Sequence, residues 1–280
     1  MALRIITADE RLSDAKNKTT MAIFGPFSVG KTTLLKTLPV DEAVCIDIEG
    51  GMKSIQDWRG PSIPVRSFPD FRDLALLVGG PDPAQGQNSF YGAPRYEFVR
   101  YMHRNTGVEE LVKSKRILFV DSITDLSQKA MIYATQQPES FSERTKNMDT
   151  RAAYGLLARE IIQALKYLQH AEGKTVIYVG ALEKVASETG TVSWQPQMEG
   201  SKAGRELPGI VDQVMTMQRF SRDKDGALFV DDKGPERWLV CQSGNPWGLP
   251  AKDRSGRLDV TEPPDLGKLL AKINGQATTY

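Results

Sequence analysis

The sequence predicts an α/β fold with a mostly parallel central sheet flanked by helices, and three observations predict it. Short apolar runs of strand length alternate with longer amphipathic ones, the pattern of strands joined by crossover helices. The run Ile117-Leu118-Phe119-Val120 carries four consecutive apolar residues, as a strand covered on both faces does. A chain of 280 residues, 40% apolar and 25% charged, has the length and composition of one large globular unit.

The elements follow in chain order. Met21-Ala22-Ile23-Phe24 is the first strand, and residues 32–38 form a helix that Pro39 stops. Residues 43–48 and 116–121 form the second and third strands. A long helix is expected from Thr150 to Gln169, with Leu156, Leu157, Ile161, Leu165 and Leu168 on one stripe. Residues 175–179 are a fourth strand, and 211–217 and 238–242 are later ones. Three stretches, 79–94, 136–149 and 183–204, read as irregular, and long irregular loops in a compact domain are more often functional than idle. The organisation is an extension over 1–18, a core over 19–260, and a tail over 261–280 holding a short helix.

Bulk properties exclude several classes. No stretch approaches the ~18 uninterrupted apolar residues of a membrane span. Arg4, Asp9, Glu10 and Arg11 stand where a signal peptide needs an apolar run, so a cytoplasmic location is expected. Cys45 and Cys241 lie in apolar segments and are expected to be buried thiols. His103 and His170 have no partner at zinc-ligand spacing. A net charge of +1 neither suggests nor excludes nucleic acid.

Gly25-Pro26-Phe27-Ser28-Val29-Gly30-Lys31-Thr32 fits G-x-x-x-x-G-K-[ST] at every fixed position, and Thr33 follows it. Gly25 and Gly30 give the backbone freedom to turn successive N–H groups into one concavity, and the following helix aims its positive end there. Lys31 is expected on the β- and γ-phosphates of ATP and the Thr32 hydroxyl on Mg2+. Asp121, closing the third strand at the sheet's carboxyl edge, is a second metal carboxylate. An Asp there also suits the N-cap of the next helix, and both roles stay open on the residues alone. Glu49, before Gly50-Gly51, is the expected base for the attacking water, and Asp47, deeper on the same face, reads as a structural carboxylate.

These residues resemble the RecA core. Ile117 to Val120 closing in Asp121-Ser122 resembles the RecA strand that ends in Val-Asp-Ser. Cys45-Ile46-Asp47-Ile48-Glu49 resembles the strand that carries its catalytic Glu, and residues 151–159 resemble the helix after its first DNA-binding loop. Within that superfamily, residues 196–202 and 207–212 are similar to the phage nucleotide-binding proteins called Sak-type RecA-core single-strand annealing proteins. The resemblance implies an ATPase that binds single-stranded DNA and promotes annealing in phage recombination. It also implies a single-strand-binding protein as partner, in the cytoplasm of a bacterial host.

Lys252 and Arg254 resemble the cations that related helicases and RecA reach into a neighbouring subunit's ATP site, which implies a homo-oligomer with sites at subunit boundaries. A solvated basic turn is the other reading of those residues. Segments 136–149 and 183–204 fall where RecA relatives grip DNA. The first offers Arg144, Lys146 and adjoining Arg151, and the second Lys184, Trp194, Lys202 and neighbouring Arg205. Acidic neighbours nearly cancel these charges, so solvated loops stay open as well. Where RecA carries a phosphate-sensing Asn-Gln pair, this chain reads Gly180-Ala181-Leu182-Glu183. Rival readings are a helicase loader or motor acting on a protein partner, and a slowly hydrolysing nucleotide switch.

Overall fold

Apolar residues that alternate along the central strands separate into two cores, one on each side of the sheet. Ala22, Phe24, Val44, Ile46, Leu118 and Val120 belong to one core, and Met21, Ile23, Cys45, Ile117 and Phe119 to the other. Successive side chains of a strand point to opposite faces, so a strand apolar at every position must be covered twice. The computed structural model describes residues 5, 7–10, 18–186 and 192–276.

The strands are β1 (Thr20–Gly25), β2 (Ala43–Asp47), β3 (Ser62–Pro64), β4 (Ile117–Asp121), β5 (Thr175–Ala186), β6 (Val192–Pro196), β7 (Gln213–Arg222), β8 (Leu228–Val230), β9 (Glu236–Val240), β10 (Lys252–Asp253) and β11 (Thr261–Glu262). The main order is β11-β9-β7-β1-β5-β4-β2-β3. From β3 to β7 every pairing is parallel, whereas β9, β11 and the flanking β6, β8 and β10 join antiparallel. This is the expected α/β class with a mostly parallel sheet. The glycine-rich loop leaves β1 at the middle of the sheet, two strands from β4, which ends in Asp121.

Helices α1 (Phe68–Gly79), α2 (Ala93–His103), α3 (Val108–Ser114), α4 (Ile123–Thr135), α5 (Thr150–Gln169), α6 (Ser201–Ile210) and α7 (Leu266–Ile273) complete the fold. α1 opens on a capping box between Ser67 and Asp70 and α4 on Ser122, whose hydroxyl accepts the Asp125 N–H. In α5 the Asp149 side chain accepts the N–H groups of Arg151 and Ala152. Its buried stripe, with Leu157, Ile161, Leu165 and Leu168, packs into the first core. α7 covers the second core through Leu266, Leu269, Leu270 and Ile273.

Two expectations need correction. Residues 32–37 form a 3-10 helix rather than an α-helix, closed by Leu34 N–H to Lys31 O and Leu38 N–H to Leu35 O at 3.1 Å each. Left-handed Gly30 and Pro39 leave room for only two turns, and short runs favour the tighter pattern. The described residues of 183–204 are largely regular: β5 continues to Ala186 and pairs with β6, α6 follows, and 187–191 lie outside the described residues. The described part of 136–149 is a short 3-10 turn, Pro138–Ser140, and a Phe141–Met148 bridge. Cys45 and Cys241 are buried and unpaired. Among the described residues no helix is long and apolar enough to cross a membrane.

One buried cation joins the strands to α3. Lys174, just before β5, donates to Val112 O at 2.7 Å, Lys113 O at 2.8 Å and Lys115 O at 2.6 Å. It supplies donors and positive charge to carbonyls that a helix leaves unpaired at its C-terminus. Burial holds its ammonium below the usual lysine range, yet three carbonyls keep it in place. Lys174→Met should therefore lower unfolding stability by about 1–3 kcal/mol, read from denaturant midpoints, because it strands buried acceptors.

Candidate nucleotide site

β1 delivers the chain to the loop at Gly25, whose backbone leaves no room for a side chain. A Cβ there would stand 2.5 Å from Met217 O and 2.9 Å from Val29 Cγ1. Close approach of β7, rather than an unusual torsion, is thus what requires glycine at this position. Gly30 does need its torsional freedom, with φ +106°, and Ser28 takes the left-handed region at φ 61° without being glycine.

The next two side chains turn back into the loop and across to β4. Lys31 Nζ donates to Gly25 O at 3.0 Å and Pro26 O at 2.9 Å. Burial lowers its affinity for a proton, against the opposing pull of Asp121 and Glu49. Thr32 Oγ1 donates to Asp121 Oδ2 at 2.6 Å. Asp121 is 3% exposed and its Oδ1 is buried without a hydrogen-bond partner. Desolvation raises its pKa to about 6, the Thr32 hydrogen bond opposing and the Glu49 charge adding to the rise. The N-cap role weighed for Asp121 falls to Ser122.

Glu49 enters from the end of β2. Its N–H donates to Asp121 O at 3.1 Å and that of Ile48 to the same oxygen at 2.7 Å, tying the segment to β4. Burial raises the carboxyl's pKa, the negative charge of Asp125 adds to the rise, and Lys31 counters it. Asp47 turns away and accepts the Gly50 N–H at 2.8 Å. Phe27, Ser28, Gly30, Lys31, Thr32, Thr33 and Glu49 line a cleft of ≈ 480 Å³. The fold thus brings the loop and Glu49 together around one space, with Asp121 buried just behind Thr32.

The far wall was not anticipated. Thr124, Asp125 and Gln128 reach it from α4, at the three- and four-residue spacing of one helix face. That spacing after a strand-closing Asp was a usable signal. Gln197 had none, because it returns to the cleft only after the β5–β6 hairpin. Its N–H donates to Ala181 O at 2.9 Å, and its Oε1 is buried without a partner. An amide therefore stands beside the position where Ala181 offers only a methyl group.

The remaining candidates lie elsewhere. Lys252, on β10, donates to Pro208 O at 2.7 Å and Val211 O at 2.8 Å, at the C-terminal end of α6. Arg254 pairs with Asp212 at 3.1 Å and keeps half its side chain exposed. Neither lines the cleft. Arg144 and Lys146 are exposed on the 136–149 segment, and Lys146 holds the left-handed region at φ 57°. Arg151 is exposed in the first turn of α5. Lys184 lies 4.6 Å over the Trp194 ring, its cross-strand partner in the hairpin. On α6, Arg205 is exposed and Lys202 pairs with Glu206 at 3.8 Å. Phe141 and Tyr154, each 40% exposed, add aromatic surface that sequence reasoning missed.

Comparison with known proteins adds the family. No curated protein matches the chain. Similar solved structures include a prototypical ATPase from the type III secretion system of pathogenic bacteria, at 14% identity and a TM-score of 0.37 over 74% of this chain. The RadB recombinase matches at 14% identity and a TM-score of 0.28 over 79% of this chain. The chain spans 55% of the length of the first structure and 87% of the second. The model of the AAA domain family matches residues 17–255, which takes in every residue of the cleft. With most of its length covered by that match, the chain belongs to the AAA domain family and is a P-loop NTPase.

Proposed function

We propose that this chain binds ATP with Mg2+ in the cleft and hydrolyses it, and that it uses the cycle on single-stranded DNA. The observation that carries the first half is the Thr32–Asp121 hydrogen bond at 2.6 Å, beside an Asp121 oxygen that has no other partner. A buried carboxylate without compensation is costly, and a divalent ion is the charge that fits this donor set. Thr32 and Asp121 are the residues that would hold Mg2+, which supplies charge neutralisation on the phosphate oxygens. The residues 25–33 cradle the triphosphate, and Lys31 exchanges its two carbonyl partners for phosphate oxygens. Glu49 orients the attacking water and takes its proton, a task suited to a carboxyl whose pKa burial has raised. Gln197 is placed to bind the same water or the terminal phosphate.

For the second half, the support is cationic and aromatic residues on neighbouring elements. Arg144, Lys146 and Arg151 offer phosphate contacts, and Lys184, Lys202 and Arg205 add others on the hairpin and α6. Trp194, Phe141 and Tyr154 offer faces on which bases stack without sequence preference. Gly200, just before α6, lies against the Tyr154 ring, so a Cβ there would stand 3.5 Å from Tyr154 Cδ1 and the two regions adjoin. Annealing of phage DNA with a single-strand-binding protein, in a bacterial cytoplasm, is the role these features suit best. In a homo-oligomer, Arg254 is the better candidate to reach a neighbouring ATP site, since Lys252 is held by α6 carbonyls.

Glu49→Gln should keep ATP binding, measured by calorimetry, and lose roughly 10²–10⁴-fold in turnover. Lys31→Ala should lose the binding itself. Full turnover in Glu49→Gln would remove Glu49 from the chemistry. Wild-type ATPase should rise with bare single-stranded DNA at low salt and less at moderate salt. Stimulation by a protein partner alone would favour the loader reading instead, and slow turnover under every condition the switch. Trp194→Ala should weaken single-strand affinity by about 1–3 kcal/mol in an anisotropy titration.

A further inference from the structure

The P-loop has a second charged flank, away from the cleft lined by Glu49. β7 and β9 lie on the side of β1 opposite β4 and β5. Arg237 of β9 reaches over to the loop: its Nη1 stands 2.7 Å from the point that a Cβ on Gly30 would occupy. Arg237 is exposed, and among the described residues it makes no hydrogen bond or ion pair. Directly across the β7–β9 ladder its partner is another arginine, Arg219, whose Nη1 donates to Gly234 O at 3.1 Å. Like charges placed opposite each other on a sheet are destabilising, so this pair keeps a repulsion that an anion would relieve.

A cavity of ≈ 290 Å³ lies beside Arg219, lined by residues 26–29 and by Gln218, Arg219, Asp232 and Lys233. Gln218 is 1% exposed, and its Oε1 accepts the Arg219 N–H at 2.9 Å. Its Nε2 is a buried donor with no partner. The cavity therefore offers two cations, Arg219 and Lys233, against the single carboxylate of Asp232, with Arg237 beside Gly30. A like-charge pair left without a counter-charge beside a phosphate-binding loop is a feature a folded protein keeps where a ligand completes it.

We propose that Arg237, with Arg219 and Lys233, forms an anion subsite on the outer flank of the P-loop that takes a phosphate group of the bound nucleotide. The subsite rests on the reading of residues 25–33 as a nucleotide cradle. Guanidinium groups suit this ligand because their fork of donors matches phosphate oxygens. Arg237 lies beside the loop of its own chain.

The test titrates ATP and ADP calorimetrically into the full chain, as wild type, Arg237→Ala, Arg237→Lys and Lys31→Ala, with unfolding temperatures recorded with and without nucleotide. Arg237→Ala should weaken both nucleotides roughly tenfold or more, and Arg237→Lys by less. Without nucleotide, Arg237→Ala should unfold at the wild-type temperature or above it, since a like-charge pair has been relieved. Wild-type affinity in Arg237→Ala, with binding lost in Lys31→Ala, overturns the subsite and leaves the cradle standing. A nucleotide-free unfolding temperature well below wild type makes Arg237 a structural residue and also overturns it. Loss of affinity only for a single-stranded oligonucleotide assigns the phosphate to a strand and overturns the nucleotide assignment. No uptake of nucleotide by wild type fails the cradle itself.

Discussion

Asp121 ends a strand in which every residue is buried, and its carboxylate faces the Thr32 hydroxyl with one oxygen left over. A charge withdrawn from water in this way shapes what surrounds it. It lifts the pKa of its own carboxyl, opposes the desolvation that weakens the Lys31 ammonium, and its backbone carbonyl fixes Glu49 through two N–H groups. Taking Asp121 out of solvent requires the doubly covered parallel sheet, and using it requires β1 to deliver Thr32 close by. The two cores and the strand order can be understood as the means to that one placement.

Much of this was legible in the residues. Strands apolar at every position announced a sheet covered on both faces, and the glycine-bracketed loop announced an anion cradle. The leucine and isoleucine stripe on α5 located that helix from Thr150 to Gln169. Less legible were features whose cause lies far away in sequence. Gly25 is required by the carbonyl of Met217, nearly two hundred positions on, and no local pattern encodes that contact. Polar residues from 183 to 204 looked irregular because one hairpin face is solvated and its alternation is short, so tertiary pairing decided the outcome.

The hairpin also joins two regions that composition alone kept apart. Both of its feet stand on the cleft, Ala181 on the outgoing strand and Gln197 on the return, bonded to each other. Beyond them the same two strands carry Lys184 over Trp194, and Gln197 is followed by α6, whose end holds Lys252 and Arg254. Gln197 is thus linked to Trp194 along β6 and, through α6 and its hydrogen bonds, to Lys252 and Arg254.

The seat of α7 bears on how the molecule assembles. The Leu266 N–H donates to Thr37 Oγ1 at 2.9 Å, joining positions 229 residues apart, and Thr20 is joined to Asp212 across 192. The loop is thus boxed in by segments that lie far from it along the chain. Contacts of such separation carry a large loop-closure cost and form late. Until those distant segments dock, Met21 and Ile23 lack the cover that α7 gives their core, and an apolar strand left uncovered in a partly folded chain is prone to associate.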